Sequence, residues 1–307
     1  MSTLKRLLVG LDLTQMDDTL IKYAAFLCAE LQVKEVCFIH VEKSLEMPGE
    51  LLQSMLREKL SAVEGVRLMI SEKIKPVFEQ LPEVDIELKV EEGNPLKELL
   101  HWAKLKDADL LLVGRKLRMR GSGVLAQKIL RTGRLSVLFV PETCEPRLRR
   151  IVVSMDFSKY SEMALERVLH STLSRPDVQL VCLHVYQVPT GYITLGMSYE
   201  EFDERMRGFA KEKYNQLLSH FPELQDRAKF VMVRQEEHDD TGELVVMEAK
   251  RARADLLVIG AKGLSAAALF VLGSITEKVL RHDSDIPLLV FKNKDEKLGY
   301  LDALLNN

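Results

Sequence analysis

Gly260, Gly263, Gly273 and Ser274 stand where an apolar run, ADLLVIG, gives way to a helical pattern, SITEKVLRH. A strand, a glycine loop and a helix start in that order suit an anion. A helix start presents unpaired N–H groups and the positive end of the helix dipole. Glycines let the backbone approach a phosphate with no Cβ in the way, and they allow positive φ. Ser274 is placed to cap the helix and to donate its hydroxyl to the same anion, and Lys262 adds a charge. The spacing is G-x2-G-x9-G-S. That is neither the G-x4-G-K-[ST] of the P-loop nor the G-x-G-x-x-G of dinucleotide folds.

Other residues invite chemistry less strongly. Asp156, at the end of RIVVSMDFS, stands at a strand end facing a crevice, where its carboxylate serves a functional site or simply a helix entry; Asp12 is its counterpart in RLLVGLDLT. His40 and His184 recur at equivalent sites, but no Ser or Cys partner is apparent, and they read as structural histidines at strand ends. His282, Asp283 and Asp285 follow a helix and read as a polar turn rather than metal ligands. Trp102, within PLKELLHWAKL, is expected to pack.

The elements that position these residues are written twice. RLLVGLDLT (6–14) matches RIVVSMDFS (150–158), VCFIHVEK (36–43) matches LVCLHVYQ (180–187), and AKLKDADLLLVGRK (103–116) matches AKRARADLLVIGAK (249–262). The offset moves only from 144 to 146, so the halves are whole-domain copies rather than solenoid repeats. They divide in ETCEPRLRR, residues 142–150. Each copy alternates strands that are apolar on both faces with helical patterns, which predicts a five-stranded parallel sheet covered on both sides. Ligands of such sheets lie beyond the carboxyl ends of the strands, where strand order reverses. In the second copy, Ser158 or Ser161 caps the first helix.

Composition narrows the classes. With 43 basic and 46 acidic residues the net charge is −3, and no basic surplus points to nucleic acid or anionic lipid. No apolar stretch reaches the roughly 20 residues that span a bilayer. An Asp at position 12 interrupts any signal-peptide core. The cysteines, Cys28, Cys37, Cys144 and Cys182, are scattered and read as free thiols in a reducing compartment. The expected location is the cytoplasm.

The glycine pattern resembles the nucleotide-binding signature of the universal stress protein family. The likeness extends to the strand ending in Asp156 with Phe157-Ser158 after it, to Leu183-His184-Val185, and to IPLLVF, and it covers nearly the whole chain as two tandem copies. The resemblance implies two α/β domains, each a doubly wound, Rossmann-like five-stranded parallel sheet of the adenine nucleotide alpha hydrolase type. It further implies that they pack as an intramolecular pseudo-dimer, with LSVLFV and IPLLVF meeting near the axis. The expected boundaries are 1–144, 148–294 and a tail at 295–307.

By position, the resemblance implies that Asp156 hydrogen-bonds ribose hydroxyls while Val185 and Ile259 flank adenine. Gly260, Gly263 and Gly273 then line the phosphate path, and Ser274 with the backbone of Ile275 holds the terminal phosphates. Ser154 stands where the family usually has proline or another small residue. The implied cofactor is ATP with Mg2+.

The first copy keeps Asp12, Val41 and Gly114 but loses the second glycine, has a loop four residues shorter, and follows Gly123 with Val124. Its basic residues, Arg115, Lys116, Arg118 and Arg120, read as a solvated loop. Nucleotide is therefore expected mainly in the second domain. The segment 190–209 reads as a loop and an amphipathic helix, with a lid or apolar-ligand pocket as the alternative. The tail has apolar residues at helical spacing that can dock on its own chain or on a partner.

Three functions compete. The favoured one is a stress-response ATP-binding regulatory protein without committed catalysis. The others are a slow ATPase and an apolar-ligand or protein-interaction module with no nucleotide. The expected partners are an adenine nucleotide and a protein reached through the tail or the first domain, in a monomer or homodimer.

Overall fold

The computed structural model describes residues 4–44, 61–115, 124–132, 134–173, 175–263, 272–282 and 285–293. The chain divides into two compact units, Met1–Arg147 and Leu148–Asn307. The first contains β1 (Arg6–Leu11), α1 (Met16–Leu31), β2 (Glu35–Glu42), α2 (Ala62–Phe78) and β3 (Asp85–Glu92), then α3 (Pro95–Leu105), β4 (Leu110–Arg115), α4 (Val124–Thr132) and β5 (Ser136–Pro141). Its strands are parallel and lie in the order β3-β2-β1-β4-β5.

The second unit repeats the plan. It contains β6 (Arg150–Ser154), α5 (Lys159–Ser171), β7 (Gln179–Gln187), a 3-10 turn at Thr190–Tyr192, α6 (Tyr199–His220) and the short α7 (Leu224–Arg227). β8 (Ala228–Gln235), α8 (Thr241–Arg251), β9 (Leu256–Gly260), α9 (Ser274–Arg281) and β10 (Leu288–Phe291) follow. The order is β8-β7-β6-β9-β10, again parallel.

The doubly apolar strands predicted from sequence are buried on both faces. Leu8, Val9, Leu111 and Leu112 in the first unit, and Val152, Val153, Val258 and Val290 in the second, are at most 1% exposed. Parallel ladders of this kind need helices on each side. α1 packs with α2 and α3 with α4, while in the second unit α8 packs with α9.

The duplication extends below the level of elements. The repeated Ala-Asp of the fourth strand has a job: Asp109 Oδ2 accepts the amides of Lys5 and Arg6, both at 3.0 Å. Asp255 Oδ2 likewise accepts those of Arg149 and Arg150 at 2.8 and 2.9 Å. Each carboxylate thus anchors the start of the neighbouring strand. Asn94 and Asp240 are equivalent N-caps of α3 and α8. Left-handed backbone recurs too, at Leu13 and Phe157 (φ 60° and 58°) and at Asp107 and Arg253 (46° and 52°).

Segment 190–209 forms the 3-10 turn and the start of α6, which opens on a Ser198–Glu201 capping box. Tyr192 packs edge-on against Tyr199, and Tyr186 donates to Asp203 at 2.8 Å. Trp102 lies beside Lys89, whose Nζ sits 4.7 Å from the ring centre. No helix among the described residues is long and apolar enough to cross a membrane. Lys116, Arg118, Arg120, Gly123 and the tail 295–307 lie outside the described residues. Arg115 is the last residue of β4 and is 8% exposed, so it is not part of a solvated loop.

Candidate functional site

Strand order reverses where β6 lies between β7 and β9, so a crevice opens over the carboxyl ends of β6 and β9. A cavity of about 220 Å³ occupies it, lined by Ser154, Asp156, Ile259, Gly260, Gly263, Gly273, Ser274 and Ile275, together with Ser161, Lys262 and Thr276. Of the nine residues expected from the sequence, eight thus meet around one cleft. Val185 does not line it; it sits half-buried on β7, paired with Val233.

Each glycine here makes room. A Cβ on Gly260 would stand 3.1 Å from Tyr160 backbone carbon and 3.2 Å from the Ser161 nitrogen, so Gly260 lets the start of α5 close onto β9. A Cβ on Gly263 would meet Asp156 Oδ2 at 2.6 Å. One on Gly273 would lie 3.2 Å from the Gly263 nitrogen. Gly273 also donates its amide to Ala261 O at 2.8 Å, which closes the loop on itself. Positive φ was a second expected reason for glycine, and it does not apply: none of the three adopts it. Close approach alone requires them.

α9 begins differently from the sequence expectation. Gly273 is its N-cap, Ser274 is the first helical residue, and no side chain caps the end. Ser274 is therefore not the cap: the chain turns into the helix at Gly273, which puts the serine hydroxyl one position too late to reach back over the first turn. Among the described residues no side-chain oxygen caps the first turn of α9, whose Ser274 and Ile275 line the cleft, while Thr276, 2% exposed, donates to Gly260 O at 2.8 Å and ties the helix to β9. Ser158, not Ser161, caps α5; its hydroxyl accepts from Ser161 N–H at 3.3 Å, and Ser161 Oγ donates to Ser158 O at 3.0 Å. Thr276 and Ser161 were missed in the sequence. A polar residue inside an apolar helix face was the available signal at Thr276; at Ser161 the signal was read as a cap.

Asp156 follows β6 and precedes Phe157, whose left-handed backbone is unusual for a bulky residue. Its Oδ1 accepts from Ser158 N–H at 3.0 Å, and Oδ2 faces the Gly263 backbone. The carboxylate is fixed on one oxygen and presented on the other. His184 braces this turn: Nδ1–H donates to Met155 O at 2.7 Å, and Phe157 packs on the ring at 4.7 Å. Burial holds its pKa below the ordinary histidine value, only partly offset by that hydrogen bond. His40 repeats the contact, to Leu11 O at 3.1 Å. These rings hold strand ends.

The first unit differs at the matching place. Asp12 Oδ1 is taken by the Thr14 hydroxyl at 2.6 Å and the Thr14 amide at 3.2 Å. Asp17, 1% exposed, accepts the amides of Asp12 and Leu13 at 2.9 and 3.0 Å, and burial raises its pKa. The Met16 side chain lies against Gly114 and fills the place a Cβ would take. In the second unit it is backbone that meets Gly260.

Behind the cleft, Asp240 joins α8 to α9. It accepts from Glu243 N–H at 3.0 Å and pairs with His282 at 3.0 Å and Lys278 at 3.2 Å. Burial acts to raise its pKa, but these bonds together outweigh that and draw it down to about 2. Asp285 pairs with Lys250 at 3.5 Å. Among the described residues, no group of three or more His, Cys, Asp or Glu is arranged to hold a metal.

Fold and cleft together define a doubly wound α/β protein with a crevice at its strand-order reversal. The model of the universal stress protein family matches residues 3–141 and again 147–292. The chain belongs to the universal stress protein family, as a tandem two-domain member. It is 28% identical over 163 residues to universal stress protein MJ0577 of Methanocaldococcus jannaschii, covering 48% of this chain and 96% of that protein. A Staphylococcus aureus relative is 29% identical over 136 residues, 44% of this chain and 78% of that protein. The crystal structure of a universal stress protein from Archaeoglobus fulgidus shares the fold, with a TM-score of 0.63 at 16% identity over 94% of this chain and 98% of that one.

Proposed function

We propose that this protein is a stress-response regulator that binds ATP in the second-unit cleft and performs no committed chemistry on it. The observation that carries this reading is the convergence of an uncapped helix start, three Cβ-free positions and a half-anchored carboxylate on one crevice. The α9 amides and Ser274 suit phosphate oxygens, because N–H groups and the positive helix end favour anions. The free face of Asp156 suits the ribose hydroxyls, which can only donate to an ionised carboxylate. Ile259, 4% exposed, gives an apolar surface for the base. Mg2+ would come as the counter-ion of the phosphates, the usual way this cation meets a nucleotide site.

The functional domains follow the repeat, 1–144 and 148–294, with nucleotide held mainly by the second. In the first unit Asp12 is engaged by Thr14 and Gly114 is covered by Met16, which favours that assignment. The test is a titration of Mg-ATP into the intact chain and into Asp156→Ala and Asp12→Ala variants. Binding at one ATP per chain, lost with Asp156→Ala and kept with Asp12→Ala, is the expected result. The opposite pattern, or no heat with the wild type, overturns the reading.

A further inference from the structure

The glycine spacing leaves the two positions between Gly260 and Gly263 open, and this chain puts a lysine at the second. Lys262 is 6% exposed and lines the cleft. A lysine buried to that degree is uncommon, because its ammonium is costly to desolvate without partners. The structure supplies one from a distant part of the chain: Nζ donates to the Tyr160 hydroxyl at 3.2 Å and lies 5.2 Å from the ring centre of the same tyrosine. Tyr160 is held in turn by the Ser158-capped first turn of α5, pressed against Gly260.

Lys262 and the first residues of α9 line the same cleft as the glycines, and the Asp156 carboxylate, whose Oδ2 faces Gly263, supplies its negative group. A nucleoside interacts with the carboxylate and gains nothing from the cation. Each added phosphate brings charge that only the cationic part of the site rewards.

Resting on the nucleotide reading above, we propose that Lys262, perched on Tyr160, is the residue that makes this cleft select polyphosphorylated adenine nucleotides over AMP and adenosine. Neutral hydroxyls and amides bind any phosphate; a buried ammonium discriminates by the number of charges it meets.

The experiment is calorimetric titration of ATP, ADP, AMP and adenosine into the intact protein and its Lys262→Gln, Lys262→Met and Lys262→Arg variants, with melting curves for each. Removing one charge-assisted hydrogen bond corresponds to about a 10- to 150-fold weaker Kd. Gln and Met variants are expected to lose that much for ATP while AMP and adenosine change less than about twofold. Lys262→Arg, which keeps the charge, should retain most of the preference. An unchanged ATP-to-AMP ratio in folded Gln and Met variants overturns the assignment to Lys262 and leaves the nucleotide reading standing. A wild type that binds none of the four compounds overturns both.

Discussion

Replacing Gly263 by alanine tests the cleft with the smallest change available. The new Cβ would sit 2.6 Å from Asp156 Oδ2. Restoring an ordinary contact of about 3.4 Å requires the carboxylate to recede by about 0.8 Å. The obstacle is the end of a flexible side chain, so the fold can absorb it cheaply. A displaced Asp156 must either break its 3.0 Å bond from Ser158 N–H or turn away from the crevice. In both cases the carboxylate no longer meets a diol at hydrogen-bond distance. A hydrogen bond to a charged group contributes about 1.5–3 kcal/mol, which predicts a Kd for ATP about 10- to 150-fold weaker. The melting temperature should fall by no more than about 4 °C, the shift expected for about 1 kcal/mol in a domain of this size. Calorimetry and a melting curve on the same preparation supply both numbers. Wild-type ATP affinity in Gly263→Ala, alongside a large loss in Asp156→Ala, would refute the claim that Gly263 exists to seat the carboxylate. A large stability loss with binding retained would refute it as well.

Gly242→Ala is the contrasting case: its Cβ would meet backbone of α9, 2.7 Å from Lys278 C and from Val279 N, which cannot swing aside. Such overpacking costs about 1–3 kcal/mol, so thermal unfolding should show a clear loss of stability. His184, whose pKa is lowered by burial, is neutral in both folded and unfolded chains above the ordinary value of 6.5. As pH falls below that, the unfolded chain takes up the proton first, so stability is present at neutral pH and is lost on acidification. Melting curves at pH 7 and pH 5 should therefore separate more for the wild type than for His184→Asn. Burial pushes the thiols of Cys28 and Cys182 up to about 12 and that of Cys37 up to about 11, while Cys144 is partly exposed. A thiol reagent near pH 8 should modify Cys144 quickly and the other three only as the protein unfolds.

Much of this molecule is local, and the local part is legible in the chain. The doubly apolar runs, the helical periods and the near-constant offset between the copies specify the strands, the helices and the duplication, because each depends on neighbours within a few residues. The glycine and serine spacing marks the loop between β9 and α9 for the same reason. What it does not carry is the identity of the N-cap. That depends on where the backbone leaves the extended conformation, and Gly273 rather than Ser274 takes the place.

Contacts between remote segments needed the tertiary structure. Lys262 and Tyr160 are 102 residues apart, and nothing in either local pattern pairs them. Asp156 meets the bare backbone of Gly263 only because β6 and β9 lie side by side, with Ser154 opposite Ile259. The same holds for Thr276 reaching Gly260 O, and for Val185 standing outside the cleft that its neighbours line. Sequence period encodes which face of an element is apolar. Which element that face meets, and in what register, is decided when the apolar strand faces of a unit are buried at once, and that choice is made by the fold of the unit.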